Sequence, residues 1–187
     1  MKKKVLFILK ASNDGEVQKA LLEGVLKLTQ KRVLKPVFYI DGKNKELEKK
    51  LRDFTVHTWD KDLTISKGKG RINALFKCVF NIGTITHILK KEMPDMILSC
   101  DFEVLTFLSP FCQMSRTPLF WVQENFWSGK DKAATLLAGY THSLLLTDEE
   151  IRHTLPSVLQ KDARTLPPLD DNISPKTYVE NVFKGCI

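Results

Sequence analysis

The sequence has few cysteines, and their spacing does not fit the motifs through which cysteines bind metals or form disulfide frameworks. The chain of 187 residues contains four cysteines, which are too far apart for a Cys-x-x-Cys motif, and its four histidines do not stand near them in the spacing of metal ligands. This excludes a disulfide-stapled secreted domain and a Cys/His metal centre. We expect free thiols, in a reducing compartment, at Cys78, Cys100, Cys112 and Cys186.

Long hydrophobic runs are also absent. Three lysines at the N-terminus precede an apolar run, Val5–Leu9, and resemble the start of a signal peptide, but Lys10 ends the run after five residues. No stretch approaches the roughly 20 apolar residues that a membrane-spanning helix needs. The sequence therefore predicts a cytoplasmic protein, with contact to the inner face of the membrane as an open alternative.

Glycine-rich phosphate-binding motifs are missing as well. The polar loop after the first apolar run contains a single glycine, Gly15, and matches neither Gly-x-Gly-x-x-Gly nor a Gly-Lys-Ser/Thr loop. This disfavours the usual NAD and ATP pockets, and we predict no cofactor.

The composition is that of a soluble globular domain, with 43% hydrophobic and 27% charged residues. The formal charge of +7 comes from residues 1–52, which hold 14 Lys and Arg against 6 Asp and Glu. Because no Arg-rich run or RNP-like aromatic motif accompanies these lysines, we expect solvated helix faces rather than a nucleic-acid patch. An anionic membrane or a partner protein is the remaining electrostatic partner.

Short apolar runs alternate with amphipathic stretches along the chain. The runs predict six strands, and the stretches between them show helical spacing, the longest over residues 71–92. A helix after the fourth strand contains Pro110, where a break is expected. Alternating strands and helices predict a Rossmann-like three-layer α/β/α fold with a mainly parallel sheet of six to seven strands. We assign residues 1–172 to this domain and residues 173–187 to a tail or short helix that packs back on it.

In such a sheet, ligands bind at the carboxyl ends of the strands. After the first strand, Asn13 and Gly15 precede a helix whose N-terminal amides suit an anion or a sugar hydroxyl. The alternative is that Asn13 or Asp14 only caps this helix while Gly15 eases the turn.

Acidic residues follow several predicted strands. Three such carboxylates at one rim would suit Mg²⁺, but helix capping and solvated loops explain each acid separately, and we predict no metal site. We retain Asp101 as a candidate substrate contact. The acids concerned are Asp41, Asp101, Glu103 and Glu124.

The fifth strand ends in polar residues between aromatic ones. Gln123, Glu124 and Asn125 can hydrogen-bond sugar hydroxyls, and Trp127 offers a ring face for stacking. The alternative places the neighbouring aromatic side chains in the core and leaves only Trp127 partly exposed. The histidines at positions 57, 87 and 153 fit an ordinary polar face.

The order of these elements, with several short phrases, resembles the N-terminal half of GT-B glycosyltransferases of the family-4 type. The resemblance spans about residues 4–172. It is carried by Gly15-Glu16 at the first helix, Glu92-Met93-Pro94-Asp95-Met96-Ile97, Thr117-Pro118-Leu119-Phe120-Trp121-Val122, Thr147-Asp148 and Leu166-Pro167-Pro168-Leu169-Asp170.

The resemblance implies sugar transfer from a nucleotide-sugar donor to a polysaccharide or glycolipid acceptor. It implies that Gly15, with Asn13, approaches the donor phosphate, and that Gln123 and Glu124 stand where a histidine is often found. Asn125, Trp127 and Asp101 would then contact the acceptor. The family's donor-binding domain has no counterpart after residue 172, which implies an excised half, a non-catalytic remnant or a donor half in a separate chain. A different hypothesis is a non-catalytic module that docks a membrane or a partner protein through its basic helices.

Overall fold

The computed structural model describes residues 2–11, 15–59, 83–100, 102–124, 140–168, 172–184 and 186–187. Seven strands are present there: β1 (Lys3–Lys10), β2 (Leu34–Asp41), β3 (Thr55–Trp59), β4 (Met96–Ser99), β5 (Leu119–Gln123), β6 (Ser143–Leu146) and β7 (Ala163–Thr165). The helices are α1 (Glu16–Gln30), α2 (Lys45–Lys50), α3 (83–92), α4 (Phe102–Ser115), α5 (Glu149–Thr154), α6 (Ser157–Gln160) and α7 (Pro175–Val182).

The seven strands form one sheet in the order β3-β2-β1-β4-β5-β6-β7, and every neighbouring pair is parallel. Continuous apolar runs produce this arrangement because a parallel strand is buried on both faces. In β1, the five residues from Val5 to Leu9 are all buried. The predicted Rossmann-like α/β fold is confirmed, and its sheet has the larger of the two strand numbers expected.

Two hydrophobic clusters lie on the two faces of the sheet. Alternate residues of β1 divide between them: Leu6 and Ile8 join one cluster, and Val5, Phe7 and Leu9 the other. The first cluster is covered by α3, α4, α5 and α6, and the second by α1, α2 and α7. The molecule therefore has the three layers that the alternation predicts.

Helix α7 packs directly on α1. Gly24 makes the approach possible, because a Cβ atom at this position would lie 2.1 Å from the carbonyl oxygen of Pro175. Ser174 caps α7 by accepting a hydrogen bond from the amide of Thr177, and Pro175 occupies the first turn, where its missing N–H costs nothing. Four side chains of the C-terminal segment are buried in the cluster that α1 and this face of the sheet share: Tyr178, Val179, Val182 and Phe183.

A buried carboxylate joins two strands to α3. Glu92 forms ion pairs with Lys4 of β1 (Nζ to Oε2, 3.1 Å) and with His57 of β3 (Nε2 to Oε1, 2.9 Å). Burial favours a raised pKa for Glu92, but the hydrogen bonds from His57 and Lys4 and their charges outweigh it, so the pKa lies below its ordinary value. His57 is thus a partner in this cluster, not the ordinary polar-face residue that the sequence predicts.

Two further expectations about helices need correction. Helix α4 continues through Pro110 to Ser115, because Leu108 and Cys112 on either side of the proline are buried against the sheet. The N-cap of α1 is Gly15 rather than Asn13 or Asp14, which lie outside the described residues. Among the described residues, no helix is both long and apolar enough to cross a membrane.

Candidate functional site

The strand order reverses between β1 and β4. From β1 the chain builds outward to β2 and β3, and then returns to place β4 on the other side of β1. Ligands in open α/β sheets bind beyond the carboxyl ends of the strands at such a reversal. The segments after β1, β4 and β5 therefore form the candidate site.

The strand register gives the width of this site. Ile8 of β1 pairs with Ser99 of β4, and Ser99 pairs with Trp121 of β5. Lys10 and Gln123 each lie two residues beyond this row. Because neighbouring strands lie about 4.8 Å apart, the backbones of Lys10 and Gln123 are about 10 Å apart across the site.

The end of β1 is held by side chains from two helices. Gln18 of α1 accepts a hydrogen bond from the backbone N–H of Lys10 (3.1 Å) and donates one to its carbonyl oxygen (3.2 Å). Asn44 donates to the carbonyl oxygen of Ala11 (3.0 Å) while its own oxygen caps α2 at the amide of Leu47. Both contacts fix the backbone just before the loop that leads to α1.

The start of α1 follows this fixed segment. Gly15 is its N-cap and has no side chain to satisfy the first amides of the helix. The helix dipole makes such an end favourable for an anion. A pocket of about 200 Å³ lies beside it, between α1 and α2, with Lys10, Gln18 and Asn44 among its lining residues.

Strand β5 ends in two half-buried polar residues. Gln123 is the last residue of β5 and Glu124 follows directly. The carbonyl oxygen of Gln123 accepts hydrogen bonds from the amide (3.3 Å) and the hydroxyl (3.4 Å) of Thr147, which follows β6. The ends of β5 and β6 are therefore tied together on this side of the site.

Helix α7 places a tyrosine near the ends of β4 and β5. Tyr178 is 1% exposed. Burial raises the pKa of its hydroxyl above the ordinary value, and the nearby Cys100 and Glu124 raise it further. The phenol therefore stays protonated, and the C-terminal segment reaches the carboxyl ends of β4 and β5.

The aromatic residues within β5 belong to the core. Phe120 is 1% exposed and Trp121 is fully buried, in agreement with the alternative that gave them no ligand role. Phe120 packs edge-on against Phe183, with ring centroids 5.1 Å apart. Neither ring is available for stacking on a sugar.

The structure describes three of the seven predicted site residues. Gly15 lies beyond β1, and Gln123 and Glu124 lie at the end of β5, all at the same edge of the sheet. Asn13, Asp101, Asn125 and Trp127 lie outside the described residues. Within the described ranges, no group of three or more His, Cys, Asp or Glu side chains is placed to hold a metal ion.

Sequence reasoning missed three residues that shape this site: Gln18, Asn44 and Tyr178. A signal existed for Gln18, which stands within the apolar stripe of α1 and is 6% exposed. A polar residue in such a stripe needs partners, and Lys10 supplies them. The burial of Tyr178 depends on how α7 docks, which local spacing does not reveal.

Comparison with known proteins supports the fold and adds no close relative. No family model matches the sequence, and no curated protein is significantly similar to it. Among solved structures, the chain is similar to a glycosyltransferase from Rickettsia africae, with a TM-score of 0.61 and 12% identity over 88% of this chain and 42% of that one.

Two other solved structures show the same likeness. The lipopolysaccharide outer core galactosyltransferase WaaB matches 90% of this chain and 50% of its own, with a TM-score of 0.60 and 13% identity. The UDP-GlcNAc 2-epimerase from Neisseria meningitidis, bound to UDP-GlcNAc, matches 88% of this chain and 46% of its own, with a TM-score of 0.56 and 15% identity. The chain has a GT-B-like fold and spans about half the length of these proteins.

Proposed function

We propose that this chain is the acceptor-side half of a GT-B glycosyltransferase, which transfers a sugar from a nucleotide-sugar donor to a polysaccharide or glycolipid acceptor. The supporting observation is the fold likeness, which includes 90% of this chain but only 50% of a galactosyltransferase. At this level of identity the likeness concerns the fold, and the activity is our inference from it.

The proposed half needs a donor-binding partner, either a further domain or a separate chain. The pocket beside the start of α1 has a volume of about 200 Å³. Pockets that enclose small ligands are about 300 Å³ or larger, so this pocket is too small to surround a nucleotide-sugar by itself. A second body that covers the carboxyl edge of the sheet would complete the site.

We assign the chemistry to the end of β5. The carboxylate of Glu124 is the group suited to accept the proton of an acceptor hydroxyl, and the amide of Gln123 would orient that hydroxyl. The amides that follow Gly15, with Asn13, would face the diphosphate of the donor. The proposed acceptor contacts are Asn125, Trp127 and Asp101.

The proposed setting is the cytoplasm, with no cofactor other than the nucleotide-sugar as co-substrate and with no nucleic-acid partner. Bringing donor and acceptor together would supply much of the rate enhancement, and helix N-termini would stabilise the departing diphosphate. A non-catalytic module remains the competing function, and saccharide binding distinguishes the two.

A binding experiment tests the proposal. A glycan array probed with the labelled chain should give signals that Gln123→Ala removes. The matched control is Gln113→Ala, which changes an exposed glutamine of α4 at the opposite end of the sheet. Absence of any saccharide signal, or equal loss in both variants, would contradict an acceptor site at the end of β5.

The half-site aspect has its own test. Calorimetry with UDP-glucose and UDP-N-acetylglucosamine should give weak affinity, in the millimolar range, and the chain alone should release no UDP from either donor. Low-micromolar affinity or turnover by the isolated chain would show that the donor pocket is already complete.

A further inference from the structure

A groove opens at the edge of the sheet opposite to the candidate site. It has a volume of about 600 Å³ and lies between the C-terminal ends of α3 and α4, where β4 and β5 begin. We call it the methionine groove, and its apolar lining residues are Leu89, Met93, Pro94, Phe111 and Met114. Met93 is 77% exposed and Met114 is 83% exposed.

The backbone at this groove adopts conformations that its residues do not favour. Met93, directly after α3, has φ 45°, and Arg116, directly after α4, has φ 56°. Helices commonly end in this left-handed conformation at a glycine, because a side chain makes it unfavourable. Here a methionine and an arginine occupy these positions, and both side chains project from the protein.

Positive charge surrounds the groove. Of the nearby acids, Glu92 is buried in its ion pair with Lys4, whereas Asp95 is exposed and accepts a hydrogen bond only from the backbone amide of Lys4 (2.7 Å). Lys3 is level with Pro94, because Val5 pairs with Met96. Asp95 is outnumbered by the exposed cations near the groove, among them Lys3, Lys90, Lys91 and Arg116.

We propose that the methionine groove and these cations dock the protein on an anionic lipid bilayer. Met93 and Met114 would enter the boundary of the acyl chains, and the cations would pair with headgroup phosphates. The charge argues against a second copy as the occupant, since a symmetric dimer would bring like charges together at this edge. Protruding apolar side chains among lysines argue against a purely electrostatic ligand.

This surface is separate from the candidate site, and the proposal does not rest on sugar transfer. Strand β1 has eight residues, so the two edges of the sheet are about 25 Å apart. A bilayer at the methionine groove would leave the carboxyl ends of the strands open to solvent. Docking and ligand binding would therefore not compete.

Co-sedimentation of the full chain with vesicles tests the proposal. Binding is expected with phosphatidylcholine vesicles that contain phosphatidylglycerol, and loss of binding with phosphatidylcholine alone or in high salt. Met93→Gly combined with Met114→Gln should weaken partitioning about tenfold. The glycine also relieves the left-handed backbone, so this variant remains folded.

Charge reversal provides an independent test. Lys90→Glu with Lys91→Glu should lower partitioning by about tenfold or more. Lys43→Glu with Lys45→Glu, at the opposite edge of the sheet, makes the same change in net charge and should bind nearly as well as the parent. The apolar control is Val158→Gln on α6, which removes a side chain that is 63% exposed outside the groove.

Three results would overturn the proposal. The first would be that the parent chain fails to bind phosphatidylglycerol vesicles at low salt. The second would be that the groove variants bind as well as their controls. The third is a dimer of the parent in size-exclusion chromatography that Met93→Gly with Met114→Gln dissociates, because a second copy would then be the occupant.

Discussion

Replacing Gly24 by alanine changes the stability of the protein through two opposing effects, helix propensity and the packing of α7. Gly24 lies inside α1, where helix propensity alone makes alanine more stable than glycine by about 1 kcal/mol. The packing of α7 opposes this gain. The new Cβ atom would lie 2.1 Å from the carbonyl oxygen of Pro175 and 2.4 Å from a methyl group of Val179.

The magnitude follows from which atoms must move. Carbon–oxygen contacts are normally about 3.3 Å, so α7 has to shift by roughly 1 Å. The obstructing oxygen belongs to the backbone of Pro175, and a change of side-chain rotamer cannot move it. Overpacking costs about 1–3 kcal/mol, and a backbone obstacle puts this site at the upper end. After subtraction of the propensity gain, Gly24→Ala should destabilise the protein by about 2 kcal/mol.

Urea unfolding, followed by circular dichroism, measures this difference. The control is Gly83→Ala in α3, where an added Cβ atom meets nothing within 4 Å and alanine should be neutral or stabilising. Combining Gly24→Ala with Val179→Ala should not restore stability, since the backbone obstacle remains. If Gly24→Ala is as stable as the parent, α7 does not pack on α1 as described.

Three further predictions concern other buried groups. Glu92→Gln should lower stability at neutral pH by about 1–3 kcal/mol, because it leaves Lys4 without its ion pair. Since the folded pKa of Glu92 is lowered, its contribution is present above the pKa of an unfolded carboxyl and is lost as the pH falls through the folded pKa. The stability difference between parent and variant should therefore shrink in acid unfolding, and a constant difference would refute the role of charge. Gln18→Leu should lower the free energy of unfolding by about 1–3 kcal/mol in thermal or urea unfolding. It should also expose the backbone amide of Lys10 to hydrogen exchange, because that amide donates to the side chain of Gln18. Unchanged exchange would contradict this hydrogen bond. Burial raises the pKa of Cys112 to about 12, so iodoacetamide should label it slowly until urea unfolds the chain, and rapid labelling of the folded protein would show that α4 opens.

The fold was predictable because each strand carries its own signal. Runs such as Val5–Leu9 are apolar on both faces, and this is what a parallel strand within a three-layer molecule requires. Proline at position 110 predicts a break in α4, yet the helix continues there. A local rule failed because the burial of Leu108 and Cys112 against the sheet holds both halves of the helix in line.

The candidate site was predictable only where it coincides with the ends of strands. The sequence places Gln123 and Glu124 at this edge because they end an apolar run, and their role in a site stays a prediction. Gln18 of α1 hydrogen-bonds to the backbone of Lys10 in β1. Tyr178 of α7 lies near Glu124, which follows β5. Each pair joins a helix to a strand that lies in a different layer of the molecule. Such contacts depend on how helices dock on the sheet, and the spacing of apolar residues does not contain that information.

The central position of β1 bears on the order of events during synthesis of the chain. Its partner on one side, β2, begins at Leu34, but its partner on the other side, β4, begins only at Met96. Until about 90 residues more have been made, one edge of β1 has no strand to pair with, and loop closure over that distance is slow. An unpaired apolar edge is prone to pair with other chains. A ribosome that pauses before Met96 would therefore expose the nascent chain to aggregation, and a chaperone that shields Val5–Leu9 during that interval would raise the yield of folded protein.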